Sequence, residues 1–320
     1  MPIIFSRRRP FRACESKVTL VPVNITISGG SGLIGRRLLK LLGSDGHTLR
    51  VLSRHAGTNL PAGVALSVWD ATRGEPPAES LQEADAVIHL SGESVAQRWT
   101  DAARSRIRET RVVGTESLVR ALAKLPRRPQ ALVCASAIGY YGSRGDETLT
   151  EASPPGSGFL SELCQEWEKA ARQAEELGIR VALIRIGVVL DPRGGALGKM
   201  LPPFKMGLGG KLGDGRQWMS WIHAGDLANL FRFAVLNPVA GPMNGVSPVA
   251  VTNADFTRAL AATLHRPAIF PVPRPALQLL LGEMADMLLA SQRVLPQAAE
   301  LSGFRFQFPH LDNALSDLLK

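Results

Sequence analysis

The chain reads as an α/β protein, a doubly wound parallel sheet with a smaller C-terminal α/β lobe. Three observations predict it. Short β-branched runs alternate with segments of helical spacing over residues 23–190. The first run is joined to the first helix by a glycine-rich turn, GGSGLIG. From about residue 191 the composition shifts to glycine-rich loop and then to helical patterning. Alternation of this kind implies right-handed crossovers and ligands at the carboxyl ends of the strands.

The first strand is VNITI, 23–27, and the helix after it contains RRLLKLL, 36–42. Between them, Gly29, Gly32 and Gly35 stand three residues apart. Strand, glycine turn and helix together predict a nucleotide-binding turn. Gly29 allows the tight turn, Gly32 lets the backbone approach a pyrophosphate, and Gly35 lets helix and strand pack closely. Ser31, Leu33 and Ile34 complete the loop, and the helix start offers free N–H groups to phosphate.

The second strand, HTLRVLSR, 47–54, ends in Ser53 and Arg54. An NAD site usually has an acid there for the ribose 2′-OH. An arginine pairs instead with a 2′-phosphate, so NADP(H) is the expected cofactor. The third strand is 64–70, with Asp70 beside the adenine. The fourth is ADAVIHLSGES, 84–94, ending in His89, Leu90, Ser91, Gly92 and Glu93. The fifth is ALVCASAIGYYG, 131–142, and the sixth RVALIRIGVVL, 180–190. Ser136 and Tyr140 then share a rim with the glycine turn.

These stretches resemble the extended short-chain dehydrogenase/reductases of the nucleotide-sugar epimerase group. SGGSGLIG is similar to that group's opening T-G-G-T-G-x-I-G. More narrowly, AVIHLSGESVAQRWT, ASAIGYYG and the stretch 194–223 resemble the YfcH-like epimerase/dehydratase proteins, an atypical branch of unassigned activity. The resemblance covers roughly 24–320. It implies a Rossmann sheet of six or seven strands binding NADP(H), and a carboxyl-terminal lobe closing over a cleft. It also implies an oxidoreductase acting on an unidentified small carbonyl or sugar-like substrate.

One departure matters. Family members carry Tyr-x-x-x-Lys on the helix after strand five, where Tyr transfers a proton and Lys lowers its pKa and holds the ribose. Here that helix is SGFLSELCQEWEKAA, 157–171, with Leu160 at the Tyr position and Cys164 at the Lys position. Ser136 matches the family's catalytic Ser. The chain has two tyrosines, Tyr140 and Tyr141. Either Tyr140 or Tyr141 supplies the hydroxyl from another direction, or the protein binds NADPH without turnover, as a regulatory protein of cell-division or redox-sensing type. In the stretch 207–231, Arg216 matches a substrate-contacting arginine, and Asp226 is expected to serve the next helix.

The expected division is a basic extension over 1–22, a cofactor domain over 23–190, and a substrate lobe over 191–320 from which helix 224–236 returns to the sheet. The formal net charge is +9, and residues 1–22 supply +4 of it. No basic stripe interleaves with aromatics, which argues against nucleic acid. The run Arg104, Arg106, Arg108, Arg111 reads as a solvated helix face. No apolar run reaches the roughly 18 residues of a membrane span. The three cysteines, Cys14, Cys134 and Cys164, are far apart and form no metal or disulfide pattern. A cytoplasmic protein is expected, with a homodimer left open.

Overall fold

The computed structural model describes residues 21–320. The basic extension expected over 1–22 therefore lies outside the described residues but for its last two. Seven parallel strands form the central sheet: β1 (Asn24–Ser28), β2 (Thr48–Ser53), β3 (Ala65–Val68), β4 (Ala86–His89), β5 (Ala131–Ala137), β6 (Arg180–Ile186) and β7 (Gly241–Gly245). Their order is β7-β6-β5-β4-β1-β2-β3. The sequence reverses direction at β1, so the crevice for a ligand opens between β1 and β4.

Register aligns the carboxyl ends. Ser28 pairs with Leu52 on one side and His89 on the other, and His89 pairs with Cys134. The helices follow from their apolar spacing. In α1 (Leu33–Ser44), Gly35, Leu38, Leu39 and Leu42 are the buried positions. In α4 (Phe159–Arg172), Leu163, Cys164, Trp167 and Ala171 are buried. Between them α2 (Asp101–Arg108), a single π-helical turn at Glu109–Val113, and α3 (Gly114–Ala123) run on without a break. Thr100 caps this run, its hydroxyl accepting from the Ala103 amide.

Four strands end earlier than expected, and β4 is one of them, stopping at His89. The third stops at Val68. The fifth stops at Ala137 and passes into a 3₁₀ turn, Ile138–Tyr141. The sixth breaks at Gly187, where a Cβ would lie 2.4 Å from the Ser220 carbonyl oxygen. Beyond that break, Val188–Asp191 leaves the sheet and pairs with Trp221–His223.

The remaining helices are α5 (Gly195–Lys205), α6 (Ala224–Leu236), α7 (Asn253–Leu264), α8 (Arg274–Leu281), α9 (Met284–Leu289), α10 (Gln297–Leu301) and α11 (Leu311–Leu319). Helix α6 buries Leu227, Leu230, Phe231 and Ala234 in the core of the sheet. Helices α5, α7 and α11 share a separate core around Phe204, Trp221, Phe256 and Leu315. Asp226 joins the two. Its carboxylate accepts the Gln307 and Phe308 amides at 2.9 Å each, and burial raises its pKa.

Candidate cofactor and active site

The glycine turn is built by close approach. Gly29 has φ +72°, and a Cβ on it would meet the Leu90 carbonyl carbon at 2.9 Å. A Cβ on Gly35 would meet the Gly29 oxygen at 2.4 Å. Helix α1 begins directly after Gly32 with no side-chain cap and no acid in its first turn. The first intrahelical bond is Arg36 N–H to Gly32 O. The amides of Leu33, Ile34 and Gly35 thus have no partner among the described residues, which is the arrangement an anion needs. Arg36, unremarked in the sequence, donates from Nε to the Ser31 carbonyl at 2.8 Å and braces the loop.

Ser53 is buried at the end of β2, its hydroxyl 2.8 Å from that of Thr58. Arg54 follows, with its side chain 60% exposed and Nη1 4.0 Å from Glu93 Oε2. Asp70 accepts from the Thr72 amide and hydroxyl. Those bonds, the amide first, hold its carboxyl below the usual range, and Arg54 adds to the effect. Arg54 therefore faces Glu93 at the mouth of the turn, while Asp70 pairs with Arg73 at 3.5 Å.

The exit of β4 is held by Ser28, whose Oγ accepts the Leu90 and Ser91 amides and lies 2.6 Å from His89 Nδ1. His89 is fully buried, and burial drops its pKa to about 4. It is neutral at ordinary pH. Gly92 and Glu93 then cross the rim.

Past β5, the two tyrosines part company. Tyr141 is fully buried. Its hydroxyl donates to Asn244 Oδ1 at 2.7 Å and accepts from Arg185 Nη1 at 2.9 Å. Burial pushes its pKa up to about 12 against the pull of Arg185. Arg185 also makes a two-pronged pair with Glu168, Nε to Oε1 at 2.8 Å and Nη2 to Oε2 at 2.9 Å. Burial alone would lower the Arg185 pKa, but the Glu168 bonds outweigh it and raise it. Ser136 Oγ completes the network, donating to Glu168 Oε1 at 2.7 Å. The hydroxyl protons of Ser136 and Tyr141 are thereby both committed to protein acceptors.

Tyr140 is different. It is half-buried, its ring lies 3.5 Å from the Arg185 Cζ, and its hydroxyl has no protein partner among the described residues. Below this turn sit Leu160 and Cys164. A Cβ on Gly139 would lie 3.2 Å from Leu160 Cβ and 3.8 Å from Cys164 Sγ. The helix face that lacks the tyrosine–lysine pair is thus a packing surface for the turn carrying Tyr140. Burial lifts the Cys164 thiol to about 11, so it stays protonated.

The segment 96–104 after β4 is tied to later parts of the chain. Lys199 Nζ donates to the Ala96 carbonyl at 3.1 Å, Arg104 pairs with Glu283, and Trp99 meets Phe159 edge to face at 5.3 Å. Arg216 is exposed on the loop before β-paired Trp218, and its guanidinium makes no bond among the described residues. His223 is structural: Nδ1 caps α6 through the Gly225 amide at 3.0 Å. Phe204 and Trp221 belong to the second core, whereas Trp218 is half-buried beside Asp146 and Arg293. A cavity of ≈ 580 Å³ lined by Lys211, Arg258 and Arg266 includes none of the strand-end residues. Among the described residues there is no cluster fit to hold a metal ion, and no helix is long and apolar enough to cross a membrane.

Comparison with known proteins agrees with this geometry. The NAD dependent epimerase/dehydratase family matches residues 25–250, and a domain of unknown function, DUF1731, matches 272–318. The chain is 41% identical over 294 residues to epimerase family protein Mb2239 of Mycobacterium bovis, covering 91% of this chain and 96% of that one. It is 38% identical over 299 residues to epimerase family protein YfhF of Bacillus subtilis, covering 93% and 98%. The crystal structure of human epimerase family protein SDR39U1 (isoform 2) with NADPH superposes with a TM-score of 0.83 at 36% identity, covering 92% of this chain and 98% of that one. The chain belongs to the NAD dependent epimerase/dehydratase family.

Proposed function

We propose that the protein binds NADP(H) and acts as an oxidoreductase on a carbonyl or sugar-like substrate, with Tyr140 as its proton donor. The observation that carries the reading is the glycine turn itself: three helix-start amides with no partner among the described residues, beside Gly32, where a Cβ would meet nothing but the Gly29 oxygen within 4 Å. Those features fit a pyrophosphate. The human relative of known structure was solved with NADPH. When bound, the cofactor supplies a hydride.

The chain's own residues divide the remaining work. The Leu33, Ile34 and Gly35 amides and Ser31 hold the pyrophosphate. Ser53 and Arg54 face the 2′-phosphate, and Asp70 flanks the adenine. Leu90, Ser91, Gly92 and Glu93 border the cofactor on the β4 side. Arg216 offers an unpaired cation to the substrate. Tyr140 keeps a free hydroxyl at the end of β5, held in place by the Arg185 guanidinium under its ring. That hydroxyl holds or releases the proton at the substrate oxygen. Ser136 and Tyr141 act from behind, fixing Arg185 and Glu168. Cys134 and Cys164 are buried and form no disulfide among the described residues, which suits a cytoplasmic, reducing setting.

The absence of the tyrosine–lysine pair, with the Ser136 and Tyr141 hydroxyl protons both committed to protein acceptors, favours a second reading, an NADPH-binding regulatory protein without turnover. One experiment separates them. NADPH is titrated by calorimetry, and its oxidation is then followed with a panel of carbonyls and sugar nucleotides. Tight binding with turnover of a panel member supports the enzyme. Tight binding with none supports the regulatory protein, and no binding removes both.

A further inference from the structure

We infer that Arg111 is a cofactor-positioning cation that stands in for the lysine absent at position 164, and that it holds the nicotinamide-ribose half of the bound dinucleotide. This rests on the cofactor reading above.

By regular helical spacing Arg111 would share a face with Arg104 and Arg108. Arg104 pairs with Glu283, and Arg108 pairs with Glu166 at 2.7 Å. Arg111 does neither. It lies within the π-helical turn Glu109–Val113, and such a turn re-aims the residues it contains. Its guanidinium reaches the β4 exit loop. Nη1 donates to the Glu93 carbonyl at 2.8 Å and to the Ile107 carbonyl at 3.3 Å. A Cβ on Gly92 would lie 2.9 Å from Arg111 Cζ, so the glycine is what admits the side chain. The guanidinium also sits 5.2 Å over the Trp167 ring. Trp167 shares one face of α4 with Leu160 and Cys164. The charge is felt at both neighbours: it helps to hold the Cys164 thiol down and to keep His89 neutral.

Nε and Nη2 have no acceptor among the described residues. A half-buried guanidinium stays charged, and open donors on it call for an oxygen-rich ligand. The strand order says which part of the ligand. The pyrophosphate turn follows β1, and Arg54 follows β2 on one side. Gly92, in the loop after β4, and Arg111, whose guanidinium reaches that loop, lie on the other side. A dinucleotide centred on the turn, with its adenosine toward Arg54, must send its other ribose toward Arg111.

The test uses the full chain and two ligands, NADPH and adenosine 2′,5′-bisphosphate, which lacks the nicotinamide ribose. Calorimetry on Arg111→Gln should show NADPH affinity falling about ten- to a hundredfold, the loss of a charge-assisted contact. Affinity for adenosine 2′,5′-bisphosphate should be unchanged, which also reports an intact fold. Arg111→Lys keeps a cation and should lose less than Arg111→Gln, again for NADPH alone. Equal loss of both ligands would mean that Arg111 merely supports the loop, and unchanged NADPH affinity would mean no contact; either overturns the inference. A parent protein that binds neither ligand overturns the cofactor reading and this inference with it.

Discussion

Arg54 Nη1 lies 4.0 Å from Glu93 Oε2, across the gap between the ends of β2 and β4. The pair is largely exposed, so it is worth little as a structural bond. Its consequence is for binding. A 2′-phosphate arriving at Arg54 competes with Glu93, while a cofactor without that phosphate leaves the arginine to it. NADPH should therefore bind more tightly than NADH by roughly ten- to a hundredfold, about 1.5–3 kcal/mol. Arg54→Asp should erase or invert the preference. Glu93→Gln should tighten NADPH slightly, by about twofold to fivefold. Calorimetry with both cofactors on the three proteins decides the point, and equal affinities in the parent would refute the assignment of Arg54.

The glycine turn separates binding from folding. A Cβ at Gly32 would come no closer than 3.2 Å, to the Gly29 oxygen, and φ there is −72°. Gly32→Val should fold with little loss of stability, yet place a branched side chain before the free amides and abolish NADPH binding. Gly35 is the opposite case. Its Cβ would overlap Gly29 O and Gly30 Cα, and Gly35→Ala should cost about 1–3 kcal/mol of stability. Urea unfolding beside a binding titration distinguishes the two. Retained NADPH affinity in folded Gly32→Val would place the nucleotide elsewhere.

Most of the sheet and the phosphate turn are legible in the sequence because local features carry them. β-Branched runs make strands, and three spaced glycines between strand and helix have few other uses. The edge strand β7, GPMNG, is not legible, since glycine and proline break its pattern and only pairing with β6 makes it a strand. The tyrosines fail for a different reason. Tyr140 and Tyr141 are adjacent in a 3₁₀ turn, and what turns Tyr141 inward is Asn244, 103 residues away. One signal was available. Arg185 interrupts an apolar strand, and a buried guanidinium demands a buried carboxylate, which Glu168 supplies. Arg111 was hidden because a π turn leaves no mark in residue spacing.

Buried histidines make stability fall in mild acid. An unfolded imidazole takes its proton near pH 6.5, whereas His89 in the fold does so only near 4. Between those values the unfolded chain binds more protons, so stability drops as pH falls and is steady above about 6.5. One histidine contributes at most about 1.4 kcal/mol per pH unit across that window. Burial lowers His47 and His223 also, adding slope of the same sign. Urea unfolding at several pH values from about 7.5 to 5 should show this decline. His89→Gln should be less stable at neutral pH, because Ser28 loses its partner, but less pH-dependent. A parent profile that is flat over the range contradicts the neutral, buried assignment of His89.

The last prediction sets the two tyrosines against each other. If Tyr140 supplies the proton, Tyr140→Phe keeps the ring over Arg185 and removes only the free hydroxyl. Turnover should fall by about a hundred- to ten-thousandfold, with NADPH affinity and stability little changed. Tyr141→Phe removes a hydroxyl bonded to both Asn244 and Arg185. It should cost about 1–3 kcal/mol of stability, the penalty for leaving buried partners unpaired. Its effect on turnover should be indirect and smaller. Ser136→Ala should resemble Tyr141→Phe, since its hydroxyl is spent on Glu168. Cys164→Ala should be nearly silent in turnover, because a thiol lifted to about 11 cannot exchange protons at neutral pH. The measurements are kcat with any substrate that oxidises NADPH, and unfolding curves for each variant. A full-rate Tyr140→Phe protein, beside a Tyr141→Phe protein that is stable but inactive, would move the proton donor to the buried hydroxyl and require the Arg185–Glu168 network to open during the reaction.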